Sequence, residues 1–169
     1  MAEGVRIALA SLLLCVALLL PAAAVAAPGK TAAASAAERA IRGCANRNRE
    51  AAGLEPLRAS GVLARAARLQ ARNMAIHGFF AHEDPQGRGP AERVEIFDTR
   101  HEFVFVGENI AAGYSSPVAA CQGWMHSAGH RENILNGEYT RIGAGFARGG
   151  PYGRYYVQVF AREQGAASR

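Results

Sequence analysis

The sequence predicts an α+β fold, a three-layer α/β/α sandwich around a small, mostly antiparallel sheet. Three observations lead there. Apolar residues recur at helical spacing through two long segments, residues 35–52 and 60–77. Two strand-like runs, Arg141 to Arg148 and Arg154 to Arg162, flank Gly149-Gly-Pro-Tyr-Gly153 and read as an antiparallel hairpin. Along the second run Tyr155, Val157, Val159 and Ala161 alternate with Tyr156, Gln158 and Phe160, so both faces of that strand need cover.

The elements follow in order. Arg6, the apolar run Ile7 to Leu20, the break at Pro21 and the small residues Ala24-Val25-Ala26 make residues 1–26 a signal peptide cleaved after Ala26. The competing reading, a permanent anchor, needs about 20 unbroken apolar residues, and this run is shorter. Residues 27–37 are a low-complexity linker, 38–163 the folded domain and 164–169 a flexible tail. Ser35-Ala-Ala-Glu38 reads as a capping box for a helix to about Ala52, with Ala37, Ile41, Cys44, Ala45 and Asn48 on its inner face and Gly53 as its stop. After the connector Leu54–Leu57, Ser60 caps a second helix to His77, with Leu63, Ala67, Gln70 and Met74 inward and Gly78 at its end. Glu83 to Pro90 is turn chemistry, Ala91 to Phe97 a short helix, and His101 to Val106 a strand followed by Gly107-Glu-Asn-Ile-Ala111. Ser116-Pro117 opens the helix carrying Cys121 and Trp124. Gly129 argues that this helix ends near Ser127 and a short one restarts at His130.

Composition narrows the class. The net charge is +5, with 18 Arg and one Lys scattered along the chain, which is no nucleic-acid footprint. The exported chain reads as a monomer with no membrane span. Cleavage leaves Cys44 and Cys121, both on inward helix faces. An exported chain permits a disulfide between them; two separate buried thiols are the alternative.

The unusual chemistry is concentrated in Cys121 to Leu135, which holds the one Trp, two His, Ser127 and Asn133. His82, Glu108 and His130 lie beside glycine or aromatic punctuation on separate segments. If they converge, two imidazoles and a carboxylate form a site for Zn²⁺ or another divalent cation with one open position. Alternatively Ser127, His130 and Glu108 are nucleophile, base and orienting acid. The plain alternative is a hydrogen-bonded network that locks three loops together. His126 and His130 have the spacing of a helical metal pair, which Gly129 weakens; His77 and His101 read as surface residues.

His77-Gly-Phe-Phe-Ala-His82, Gly107-Glu-Asn-Ile110, Trp124-Met-His-Ser-Ala-Gly-His-Arg-Glu-Asn-Ile-Leu135 and Tyr155-Tyr-Val-Gln-Val-Phe160 resemble, in order, the four signature blocks of the CAP superfamily. That superfamily groups cysteine-rich secretory proteins, antigen 5 and plant pathogenesis-related proteins; the compact spacing is similar to its bacterial secreted branch. The resemblance covers residues 38–162 and implies an α/β/α sandwich with a cleft of two His and two acidic residues. The matching positions are His82, His130 and Glu108, while the second acidic position is Ser127, which lowers the charge of the cleft. It further implies a binding or interaction module for a divalent metal, a lipid or another small or cell-surface ligand. A secreted hydrolase using Ser127 with His130, or a metal-bound water, is the second reading; Ser127 lacks a glycine-flanked elbow. Trp124 and Asn133 are expected to be structural, and Ser127 to stand at the cleft rim.

Overall fold

The computed structural model describes Met1 and residues 30–165. Residues 2–29, where the signal peptide and the first residues of the linker are expected, and residues 166–169 of the expected tail lie outside the described residues. The chain forms α1 (Lys30–Ala51), β1 (Arg58–Ala59), α2 (Gly61–His77), α3 (Pro90–Glu95), β2 (Phe103–Ala112), α4 (Pro117–Met125), α5 (Ala128–Leu135), β3 (Arg141–Gly149) and β4 (Gly153–Glu163). The sheet order is β1-β3-β4-β2, antiparallel except for the short parallel pairing of β1 with β3.

Strand β4 is central, and every residue from Tyr155 to Ala161 is buried, as its two-sided apolar alternation requires. One face packs Tyr156 and Phe160 against Ile41, Cys121, Trp124 and Ile134 from α1, α4 and α5. The other packs Tyr155, Val157 and Val159 against Leu63, Ala67, Met74 and Val94 from α2 and α3. This is the α/β/α sandwich. Helix α2 lies so close to β3 that a side chain at Gly143 or Gly145 would collide with the helix backbone at Leu63 or Ala67. Those two glycines, facing the small residues of α2, set the spacing between helix and sheet.

Several elements match their sequence signals. Ser60 accepts a hydrogen bond from the Leu63 amide at the start of α2, and Gly78 closes the helix in the left-handed conformation. Ser116 caps α4 with Pro117 in its first turn. Cys44 and Cys121 are disulfide-bonded, pinning α1 to α4.

Other expectations are corrected. Helix α1 begins at Lys30, so residues 30–37 belong to a helix and Ser35 is not its cap. Glu38 does not close a capping box but receives two charge-assisted bonds, at 2.8 and 2.6 Å, from Arg68 on α2. Strand β1 was hidden in a dipeptide too short to carry a period. Strand β2 does not stop at Val106 but runs to Ala112, through a bulge between Val104 and Gly107 where Phe105 takes a positive φ of 59°. At the corner, α4 ends at Met125 and α5 starts at Ala128, so Gly129 lies inside the first turn of α5. The helix is held from its far end instead: buried Arg49 donates to the carbonyls of Ile134 and Asn136 just where α5 stops.

Two outcomes test this architecture. The bridge joins cysteines 77 residues apart, so its reduction should lower stability by about 4–5 kcal/mol on the chain-entropy model, read from denaturant titrations of oxidised and reduced protein. Replacing buried Trp124 by Ala should cost about 3–5 kcal/mol as a large-to-small core change, read in the same titrations.

Candidate functional site

Strand β2 lies at the edge of the sheet, and its outer side is the base on which the site is built. The carbonyls of Glu108 and Ile110 accept hydrogen bonds from the α4–α5 corner. Trp124 Nε1 donates to Ile110 O at 2.9 Å, and Asn133 Nδ2 to Glu108 O at 3.3 Å. Asn133 also donates to Asn109 Oδ1 at 2.9 Å, while Asn109 Nδ2 donates to Gln158 Oε1 and to the carbonyl of His130. Trp124 and Asn133 are therefore structural, as expected: they bind the corner to the edge strand. Gly107 is needed here because a Cβ would run into the Tyr139 hydroxyl.

With its backbone fixed, the Glu108 carboxylate is buried and both oxygens are engaged. Oε1 lies 2.9 Å from His82 Nδ1, and Oε2 accepts from the Arg93 guanidinium at 2.7 Å. Arg93 is fully buried, and its other arm donates to the carbonyls of His82 and Arg88 at 2.7 and 2.6 Å. One arginine thus neutralises Glu108 and ties down the loop that carries His82. The ring of His82 is half exposed, and its Nε2 has no hydrogen-bond partner among the described residues.

His130 and Ser127 form the second half. Ser127 stands at the N-cap of α5 but its hydroxyl does not cap the helix; it lies 2.9 Å from His130 Nδ1. Burial, and then the nearby charge of His82, hold the His130 imidazole below its usual pKa.

The structure therefore brings together His82 with Glu108, and Ser127 with His130. It does not assemble Ser127, His130 and Glu108 into one relay, because Glu108 orients His82. Among the described residues no three His, Cys, Asp or Glu side chains form a group able to hold a metal ion. The chemistry of the donors explains it: the carboxylate is shared by an imidazole and a guanidinium, and the second acidic position is a hydroxyl. His126 is exposed, bonded to the Gln122 carbonyl, and makes no pair with His130. Sequence reasoning missed Arg93 and Arg49; nothing in their spacing sets them apart from the surface arginines.

The shift of His130 has a direct consequence. Its proton is taken up at lower pH in the fold than in the unfolded chain, so its stabilising contribution is complete above 6.5 and is lost as pH falls through the folded value. NMR titration should give a His130 midpoint below 6.5. Replacing His82 by Gln should move that midpoint upward without restoring it fully, since burial is the larger cause.

Residues 42–160 match the family model described as the cysteine-rich secretory protein family, CAP. The uncharacterized Bacillus subtilis protein YkwD is 34% identical over 116 residues, which is 69% of this chain and 44% of YkwD. The uncharacterized B. subtilis membrane protein YlbC is also 34% identical, over 53% of this chain and 24% of its own length. The chain thus spans less than half the length of either relative. Among solved structures, an extracellular Bacillus anthracis protein containing an SCP domain superposes with a TM-score of 0.70 at 31% identity, over 78% of this chain and 42% of that one. An outer surface protein from Borrelia burgdorferi shares the fold, with a TM-score of 0.68 at 19% identity over 75% and 92% of the two chains.

Proposed function

The chain belongs to the CAP family of cysteine-rich secretory proteins, and from that membership together with its cleft we propose a binding module that works at the cell exterior and presents His82 and His130 to a small polar ligand. The observation that carries this reading is the state of Glu108. Its carboxylate is neutralised by buried Arg93 and holds His82 in one orientation, so the half-exposed His82 ring is presented on a rigid frame, with His130 as the second imidazole of this reading. Such a pair recognises a ligand through hydrogen bonds whose direction is set in advance. Export through residues 1–26 belongs to the same proposal, and the disulfide suits an oxidising compartment. So does the kinship with a B. anthracis protein described as extracellular.

A divalent cation is one ligand this cleft would take, held by the outward nitrogens of His82 and His130 while Glu108 stays paired with Arg93. Calorimetric titration with Zn²⁺ should show binding that disappears in His82→Ala and in His130→Ala and weakens below about pH 6 as imidazoles protonate. Absence of heat in the wild type would restrict the cleft to uncharged or anionic ligands.

The 2.9 Å contact of Ser127 with His130 favours a second reading, a secreted hydrolase in which His130 takes the serine proton. Among the described residues no acid is hydrogen-bonded to the His130 ring, and the binding reading therefore predicts no covalent labelling of Ser127 by a fluorophosphonate probe. Labelling of wild type that is lost in Ser127→Ala would replace the first reading with the second.

A further inference from the structure

We propose that the cavity at the end of the sheet, where the first turns of α2 meet the starts of β2 and β3, binds a zwitterion, a free amino acid or short peptide with an apolar side chain. The cavity measures about 560 Å³ and is lined by Ser60, Val62, Arg65, Glu102, Phe103 and Arg141, among others. That lies within the common range of small-ligand sites, about 300–1,000 Å³.

The charges on its wall decide the class of ligand. Two of the lining arginines are already neutralised, Arg68 by buried Glu38 and Arg141 by Glu163. Among the described residues Arg65 has no carboxylate partner. Its guanidinium lies 5.0 Å from the centre of the Phe97 ring and donates to the Phe97 carbonyl at 3.4 Å, which orients the group without cancelling its charge. Asp98, next to Phe97 in the chain, is buried and gives its two oxygens to the amides of Glu102 and Phe103.

Glu102 is the counterpart of Arg65. Among the described residues it is paired with Arg100, at 3.5 Å, and the Arg100 side chain is mostly exposed. An ion pair so exposed contributes little. The cavity therefore carries one unpaired cation and one loosely paired carboxylate beside two pairs that cancel. A simple anion placed there would meet Glu102 and Glu163 as well as Arg65, and a simple cation would meet the arginines. A molecule with both charges satisfies Arg65 and Glu102 together.

The carboxylate end has further donors. Gly61 and Val62 open α2, and amides in the first turn of a helix have no intrahelical acceptor. That turn contains no acidic residue. The Ser60 oxygen accepts from the Leu63 amide and keeps its own proton to donate. Arg141 bonds Glu163 through Nη2, and its buried Nε has no partner among the described residues. This wall is short of acceptors, which a ligand carboxylate supplies. Half-buried Val62 and Phe103 add apolar surface for a side chain. The cavity shares no residue with the cleft of His82, Glu108 and His130, so the proposal does not depend on the function of that cleft.

The test is calorimetry of the oxidised protein with phenylalanine and with alanyl-phenylalanine, backed by amide chemical-shift mapping. At least one of the two should bind saturably and shift the amides of Val62, Arg65, Glu102 and Phe103. The N-acetyl form of that probe lacks the ammonium, and its C-terminal amide form lacks the carboxylate. Each should bind weaker by about tenfold or more, the contribution of one hydrogen bond to a charged group. Arg65→Gln and Glu102→Gln should each weaken the zwitterion by a similar factor, and should change selectivity differently. Glu102→Gln should no longer distinguish the zwitterion from its N-acetyl form, and Arg65→Gln should no longer distinguish it from the amide. Arg65 is exposed and Glu102 half-exposed, so both variants should fold. His82→Ala plus His130→Ala should leave zwitterion binding unchanged, which separates failure here from failure in the cleft. No saturable binding of either zwitterion, equal binding by the N-acetyl or the amide form, or unchanged affinity and selectivity in the two variants would overturn the proposal.

Discussion

The buried pair of Arg93 and Glu108 is the interaction on which the geometry of the cleft depends. Taking two charges out of water is costly unless good geometry and further hydrogen bonds repay it. Here Nη1 of Arg93 reaches the carbonyls of His82 and Arg88, and the second oxygen of Glu108 faces His82, while the buried Nε of Arg93 has no partner among the described residues. Helix α3, the His82 loop and the edge strand are thereby joined at one point. The pair is better understood as a device for position than as a source of stability: it ties the His82 loop, which Gln70 also holds, to β2.

The strand that carries Glu108 needs the same kind of support. An edge strand presents unpaired carbonyls, and here Trp124 and Asn133 occupy those of Ile110 and Glu108. The one tryptophan therefore acts twice, filling the core beneath the sheet and closing a polar gap at its edge. Asn133 and Asn109 extend the closure to His130, so both imidazoles are referred to the same strand. The disulfide and Arg49 act one layer further out. They hold α4 and α5 to α1, and so keep the corner against the sheet.

Two surfaces with different chemistry result. The edge of β2 offers imidazoles on a frame whose Glu108 carboxylate is already neutralised by Arg93. The end of the sheet offers, among the described residues, Arg65 without a carboxylate partner and Glu102 loosely paired with Arg100, both on one cavity. A chain with this much arginine can hold some guanidinium groups inside as structural cations and leave others at the surface, because guanidinium stays charged in both settings.

The sequence by itself determined whatever local physics controls. Capping at Ser60 and Ser116, the stop at Gly78, the hairpin around Gly149–Gly153 and the two covered faces of β4 were all legible, because each depends on a few neighbouring residues. His82, Glu108 and His130 could be singled out from their punctuated surroundings. Tertiary structure alone decided how they are joined. Glu108 bonds His82 and not His130, Glu38 reaches across to Arg68 instead of capping its own helix, and Arg93 is buried while most arginines remain outside. Strand β1 and the second half of β2 also exist only through pairing with β3 and β4. In each case the deciding partner is distant in the chain, and a charged side chain carries no periodic mark of the partner that will neutralise it.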